Sequence, residues 1–312
     1  MELVRGLDNL SQRHRGCVLT VGNYDGVHLG HQQMIGVLKA RAEQLRSAAT
    51  VLVFEPSSKE FIDPDGAPPR LTRWREKYLA LAAHGVERLV TLRFDECMRA
   101  MTPRAFVDEL IVRRLGTRHL VVGDDFRYGC KAGGTIESLR AAGAEHGFGV
   151  EQLPPYVFDG VRVSSTAVRE RLERADFAGA ARLLGRPYRM LGRVVYGRQL
   201  GRTLGYPTAN LRLMRRKPPL WGIFAVRVFG IDADARPGVA SLGTRPTVDG
   251  TEPLLEVHVF DFCGDLYGRL IEVEFVAKLR DELKFDSLTA MTEQMKVDDA
   301  WARGLLSKVE RG

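Results

Sequence analysis

The chain has only four cysteines in 312 residues, Cys17, Cys97, Cys130 and Cys263, and no Cys-x-x-Cys pair among them. Zinc clamping and disulfide exchange both need paired thiols, so isolated ones suit a reducing compartment. Long hydrophobic runs are missing as well: no stretch approaches the roughly 18 apolar residues of a membrane span, and the start of the chain has no apolar core of leader-peptide length. A cytoplasmic protein with no membrane partner is therefore expected. Blocks of about five or six like charges do not occur, nor does an aromatic-interleaved RNA motif. Nucleic acid is thus disfavoured as a partner, although 46 basic against 39 acidic residues give a net charge of +7. A surplus of arginines spread along the chain suits phosphorylated small molecules better. No Gly-Lys-Ser/Thr closes the glycine-rich segment before Thr208, which disfavours a generic P-loop ATPase.

What remains is ordinary globular material, 45% hydrophobic and 27% charged, and long enough for two domains. In the first half, short β-branched runs at 17–21, 50–54, 88–92 and 119–122 alternate with helical patterns. Runs apolar on both faces indicate a parallel sheet covered by helices, a doubly wound α/β fold that binds ligands at the carboxyl ends of its strands. The first helix would bury Ile35, Leu38, Ala42 and Leu45 at helical spacing. Further helices are expected over 74–83 and over 103–115, the latter with Thr102 as N-cap and Pro103 at its first position. After two short helices ending near Leu184 and Gly185 the rhythm changes. Closely spaced strand patterns at 188–196, 222–229, 238–242, 254–260 and 270–276 read as an antiparallel sheet closed into a small barrel. A last helix over 287–305 would cap that barrel through Leu288, Met291, Met295 and Ala302, with both methionines in the core. The boundary is expected near Gly185, giving domains 1–185 and 186–312.

Chemistry concentrates first in Thr20-Val-Gly22-Asn23-Tyr24-Asp25-Gly26-Val27-His28-Leu29-Gly30-His31. A strand ends, glycines turn the backbone, and two histidines stand at the mouth of a helix whose free N–H groups attract phosphate. Fixed donors there would stabilise charge building on phosphoryl oxygens during nucleotidyl transfer. A zinc site would use the same histidines, but the metalloprotease pattern spaces them at i, i+4 with a glutamate between. Histidines that merely cap and fill are a third reading. Asp124 and Asp125, in Val122-Gly123-Asp124-Asp125-Phe126-Arg127-Tyr128-Gly129, follow another strand to the same sheet edge. Val163-Ser164-Ser165-Thr166-Ala167-Val168-Arg169 offers hydroxyls and a guanidinium at a further helix start, as phosphate ligands or simple caps.

Together and in this order, these three segments resemble the adenylyltransferase module of the bacterial bifunctional riboflavin kinase and FAD synthetase family. The resemblance implies that Gly22, Asn23, His28 and His31 meet ATP, with both histidines catalytic. It implies also that Ser164, Ser165 and Arg169 form a second phosphate clamp and that Asp125 and Phe126 lie beside the flavin. Two departures stand out. Phe54-Glu55-Pro56-Ser57-Ser58 replaces a proline-flanked histidine common in the family, and Lys131 stands where an arginine is common in the glycine-rich loop.

A second segment, Gly192-Arg-Val-Val-Tyr196-Gly-Arg-Gln-Leu-Gly201-Arg-Thr-Leu-Gly205-Tyr-Pro207-Thr208-Ala-Asn210, resembles the flavokinase signature of the same family. Its glycines let backbone amides approach phosphates, and the Thr208 hydroxyl and Asn210 carbonyl are hard oxygens suited to Mg²⁺. Glu256, mid-strand between apolar neighbours, must be paired or functional. By resemblance it is the catalytic base for the riboflavin 5′-hydroxyl; a salt bridge to Arg245 or Arg280 is the structural alternative. The resemblance also places Gly201, Gly205, Thr208 and Asn210 on ATP, the latter two on Mg²⁺, and Arg280 on the flavin. It implies an enzyme converting riboflavin to FMN and FMN to FAD with ATP and Mg²⁺. Other readings are a different small-molecule adenylyltransferase with a non-catalytic barrel, or a flavin- or RNA-binding regulator with decayed sites. Assembly into a homo-oligomer is compatible with all of them.

Overall fold

Alternation of buried residues along four adjacent strands decides the architecture of the first half. The computed structural model describes residues 1–197, 205–247 and 250–309. Six parallel strands, β1 (Glu2–Arg5), β2 (Val18–Val21), β3 (Ala49–Phe54), β4 (Arg88–Leu92), β5 (His119–Val122) and β6 (Gly149–Gln152), form a sheet in the order β1-β4-β3-β2-β5-β6. Val18, Val51, Leu89 and Val121 point to one face, where Ile35 and Leu38 of α1 (Leu29–Gln44) join their cluster. Leu19, Leu52, Val90 and Leu120 point to the other, among Phe106, Leu110 and Leu139. Each fully enclosed side chain of this size contributes about 1.5–3 kcal/mol. With both faces covered, only the strand ends remain for ligands. The chain order reverses between β2 and β5, so a crevice opens beyond their carboxyl ends.

The connecting helices are α2 (Ser58–Ile62), α3 (Trp74–Ala83), α4 (Glu96–Ala100), α5 (Pro103–Ala105), which continues as a wider π-helical stretch over Phe106–Arg114, and α6 (Ile136–His146). Thr102 caps α5 as expected, its Oγ1 accepting from the Ala105 N–H at 3.2 Å. Ser57, at the position where the family often has histidine, caps α2: its hydroxyl accepts from the Glu60 N–H and the Glu60 carboxylate accepts from the Ser57 N–H. A two-residue turn at Asp159 (φ 50°) and Gly160 (φ 73°) joins β7 (Val157–Phe158) to β8 (Val161–Arg162), the paired left-handed residues being what a tight hairpin requires.

The second half holds α7 (Ser165–Glu173), α8 (Phe177–Leu184) and a closed antiparallel barrel. Its strands are β9 (Arg189–Val195), β10 (Ala209–Arg212), β11 (Gly222–Phe229), β12 (Arg236–Thr247), β13 (Gly250–Val259) and β14 (Leu270–Arg280), closed in the order β10-β13-β12-β11-β14-β9. The C-terminal helix, α9 (Leu288–Val309), packs on β11, β12 and β14. Its buried residues are Asp298, Ala302 and Leu306. This corrects the expected stripe: Leu288 is 64% exposed, and Met291 and Met295 are only half-buried. The helix seats by its C-terminal half, where Ala302 and Leu306 meet Ile223, Phe260 and Leu279.

By packing, the chain divides into Met1–Pro68 with Trp74–Ser164, and Pro69–Arg73 with Ser165–Gly312. α8 goes with the barrel because Phe177 stacks on Phe275 at 6.1 Å and meets Phe224 edge-on at 6.0 Å. Pro69–Arg73 goes there because Arg169 Nε donates to the Pro69 carbonyl at 2.6 Å, Tyr188 Oη to the Leu71 carbonyl at 3.0 Å, and Arg215 Nη1 to the carbonyls of Arg70 and Leu71.

Candidate functional site

In the first unit the chain leaves β2 through a turn in which Tyr24 (φ 49°), Gly26 (φ 86°) and Val27 (φ 44°) all take left-handed backbone. That strain delivers His28 to the N-cap of α1, where its Nδ1 accepts from the His31 N–H at 3.3 Å. A neutral His28 therefore carries its proton on Nε2. The rings of His28 and His31 stack with centroids 3.7 Å apart and planes 16° apart, and the Tyr24 ring lies tilted 4.8 Å from His31. Tyr24 is itself fixed by a 2.7 Å bond to the Thr20 hydroxyl. Gly30 packs closely in the same turn: a Cβ there would lie 3.3 Å from the His28 ring, which would have to give slightly to admit it.

His31 keeps some surface in solvent, yet its Nδ1 is fully enclosed and has no hydrogen-bond partner among the described residues. Burial, then the neighbouring charge of His28, then that of Lys77 hold its pKa well below the ordinary imidazole value. Two imidazoles thus stand at a helix N-terminus as a ready set of donors and acceptors. The zinc reading fails on this geometry, because stacked rings with one Nδ1 already accepting a backbone N–H cannot converge on one ion.

From the neighbouring strand end, Asp124 pairs with Arg162 at 2.9 Å, while Asp125 is exposed. Phe126 stacks on Tyr128 at 5.8 Å against the core. Gly22 and the exposed Asn23 lie in the turn after β2. β2 and β5 are hydrogen-bonded neighbours, so these loops emerge side by side at the reversal point. Lys131 is exposed with φ 53°. Ser164 ends the first unit; Ser165 and Arg169 belong to α7 in the second, Arg169 bonding to Pro69 as described.

The barrel assembles the other set. β-ladder register places Asn210 of β10 opposite Glu256 of β13, and Glu256 opposite Ser241 of β12, all on one face. The alternate positions Leu211, Leu255 and Leu242 fill the barrel core. Asn210 is only 6% exposed, and Gly197 lies so close that a Cβ there would come within 2.3 Å of the Asn210 Nδ2. Thr208 precedes β10, and His258 Nδ1 lies 2.9 Å from the Pro207 carbonyl, pinning the turn that carries it. Gly205 has φ 80°. Gly201 lies outside the described residues.

Arg280, expected on the flavin, pairs with Asp298 of the C-terminal helix, Nη2 at 2.6 Å and Nε at 3.0 Å. The Arg245 side chain lies outside the described residues. The Thr208 hydroxyl and the Asn210 carbonyl are hard oxygen donors of the kind magnesium takes, one or two from the protein and the rest from phosphates and water. Among the described residues no group of three His, Cys, Asp or Glu could hold an ion by itself.

Sequence reasoning missed Tyr24, Lys77 and His258. Tyr24 and His258 lie inside or beside recognised segments, but only tertiary contacts reveal that they hold site residues in place.

The family model for FAD synthetase matches residues 10–167, and that for riboflavin kinase matches residues 184–306. A bifunctional riboflavin kinase/FMN adenylyltransferase from Pseudomonas fluorescens is 48% identical over 98% of this chain and 98% of its own. The chain belongs to the bifunctional riboflavin kinase/FMN adenylyltransferase family. Its Escherichia coli K12 member is 45% identical over 97% of each chain. A solved structure described as a macrolide-efflux protein from Streptococcus pneumoniae shares the fold, with TM-score 0.79 and 29% identity over 97% of this chain and 99% of the other. With both enzymatic domains present, the protein is a bifunctional enzyme of flavin cofactor synthesis. Both activities imply ATP as co-substrate. Among the described residues no helix is long and apolar enough to cross a membrane.

Proposed function

We propose that the first unit carries out adenylyl transfer at the β2/β5 edge and the barrel carries out kinase chemistry at the Asn210–Glu256 ladder position. In the first reaction a phosphate oxygen of FMN attacks the α-phosphorus of ATP, the bond to the bridging oxygen breaks, and pyrophosphate leaves. His28 and His31, with the amides of the α1 N-terminus, hold the phosphoryl oxygens as their charge grows. Gly22 and Asn23 line the same turn, Ser164, Ser165 and Arg169 supply the second phosphate clamp, and Asp125 and Phe126 meet the flavin. In the second reaction Glu256 accepts the proton of the riboflavin 5′-hydroxyl while its oxygen attacks the γ-phosphorus and ADP leaves. Thr208 and Asn210 would hold Mg²⁺, which when bound neutralises the phosphate oxygens. Arg280, held in place by Asp298, meets the flavin at the barrel mouth.

The observation that carries this reading is the cross-strand placement of Asn210 beside Glu256, a metal-type oxygen next to a base, in a unit separate from the histidine pair. The catalytic division is drawn as residues 1–185 and 186–312. The reading makes riboflavin, FMN and ATP the partners, without nucleic acid or membrane, and places the enzyme in the cytoplasm.

Product chromatography with riboflavin or FMN, ATP and Mg²⁺ tests it. Glu256→Ala should lower FMN formation at least about 100-fold and spare FAD formation from supplied FMN. His31→Ala should do the reverse. Loss of both products in either variant would reject the division of labour.

A further inference from the structure

Two hydroxyls and a thioether link the histidine turn to α1. Thr20 of β2 and Tyr24 of the turn are 0% and 1% exposed, and their oxygens stand 2.7 Å apart. Both also reach the sulfur of the half-buried Met34, Thr20 Oγ1 at 3.2 Å and Tyr24 Oη at 3.0 Å. At 2.7 Å the two oxygens share one proton between them, which leaves the second proton for sulfur, whichever hydroxyl donates it. Among the described residues neither hydroxyl has another acceptor. Burial raises the pKa of the Tyr24 phenol, so its proton stays on and has to be placed. An enclosed hydroxyl that donates to nothing is destabilising. The thioether ends the chain with no charge and no proton of its own, whereas a carboxylate there would set a negative charge beside a turn expected to draw phosphate. The methyl end of Met34 faces β5: a Cβ on Gly123 would lie 3.5 Å from it and 3.4 Å from the Asp125 carboxylate. One side chain thus touches both strand ends that flank the crevice.

We propose that Met34 is a positioning residue of adenylyl transfer: its sulfur fixes the Tyr24 hydroxyl, and the Tyr24 ring, 4.8 Å from His31, keeps that imidazole stacked on His28. Met34 meets neither substrate nor reacting atoms. Without the acceptor one proton of the chain has no place, the phenol turns toward another partner, and the His31 ring loses its backing. Donors aimed at a transition state work only when fixed beforehand, so the loss falls on the chemical step and leaves ATP binding intact. Leucine fills nearly the volume of methionine, which lets the acceptor be separated from the packing.

The proposal rests on the adenylyl-transfer reading of the β2/β5 edge, and the test separates the two. In the full-length chain, Met34→Leu should lower kcat for FMN adenylylation about tenfold with the KM for ATP within about twofold of wild type. Riboflavin phosphorylation by the same preparation should be unchanged. Met34→Gln, whose carbonyl accepts a hydroxyl proton, should recover most of kcat. In a chain carrying Thr20→Val and Tyr24→Phe, which has no hydroxyl to place, Met34→Leu should cause no further fall. An equal fall in both backgrounds, or a glutamine variant as slow as the leucine one, would mean that Met34 only fills space and would overturn the proposal. A raised KM for ATP at unaltered kcat would overturn it too. If Met34→Leu alone does not fold, the hydroxyl-free background decides: folding restored there supports the unplaced proton as the fault, and folding lost there as well refutes it. If His31→Ala abolishes FAD formation and Met34→Leu keeps the wild-type kcat, Met34 alone is refuted. If His31→Ala is without effect, the reading of the whole edge fails and the proposal with it.

Discussion

Removing the carboxylate of Asp298 tests whether the C-terminal helix is held by charge or by its apolar stripe. Asp298 is 4% exposed and Arg280 17%; their pair is bidentate, and Gln294 Nε2 donates to Asp298 Oδ1 at 3.0 Å. Asp298→Ala leaves an enclosed guanidinium without its counter-charge, a loss of about 3–5 kcal/mol by comparison with broken buried pairs. For a unit of this size each kcal/mol lowers the melting temperature by about 2–4 °C, so a fall of about 6–20 °C is expected in the barrel's transition. Arg280→Met combined with Asp298→Leu removes both charges and should recover most of that loss, because neither group is then left enclosed alone. Differential scanning calorimetry reads both variants, and riboflavin phosphorylation well below the melting temperature shows whether the site survives. A shift under about 2 °C in Asp298→Ala would refute the reasoning. So would an increase in the KM for riboflavin at unchanged stability, which would mean that Asp298 serves to orient Arg280 on the flavin and not to hold the helix.

Acid sensitivity of the first unit should depend on His31. Its folded pKa is depressed by burial, then by His28 and Lys77, so below about pH 6.5 the unfolded chain binds more protons and folding loses stability as pH falls toward the lowered value. His31→Gln should reduce that loss by up to about 1.4 kcal/mol per pH unit within the window, read by denaturant melts at pH 7 and pH 5. Equal slopes would mean that His31 titrates normally. Gly197→Ala should displace the Asn210 amide, which lies 2.3 Å from the added Cβ, and lower FMN formation about 100-fold. FAD formation from supplied FMN should persist, and an undiminished kinase would show that the loop relaxes freely.

How much was legible beforehand depended on the kind of signal each segment carries. β2, β3, β4 and β5 declare themselves because they are buried on both faces. β1 and β6 are edge strands, with half-buried Glu2 and Glu151, and their short mixed sequences carry no such pattern. β10 spans only Ala209–Arg212 and begins inside the segment recognised for its chemistry, so its role as a wall of the barrel came from the ladder alone. The last helix misled because methionine and leucine at helical spacing look like core, whereas the seat of the helix is set by Ala302, Leu306 and an enclosed aspartate. Lys77 gave no warning: a lysine in an amphipathic helix is read as solvent-facing until neighbouring side chains close over it. The histidine pair and the Thr208–Asn210 segment were legible because phosphate chemistry demands particular atoms at particular spacing.

The five residues Pro69–Arg73 lie within the first unit by sequence and within the second by packing, so the backbone passes between units at 68/69, 73/74 and 164/165. No single proteolytic nick can therefore release either half whole. A gene fragment beginning at residue 165 would encode the barrel and its helices but leave Arg215 and Tyr188 without the carbonyls they bind. The two enzymes are stitched rather than strung together, and any swap of modules between relatives would need to carry that thread along.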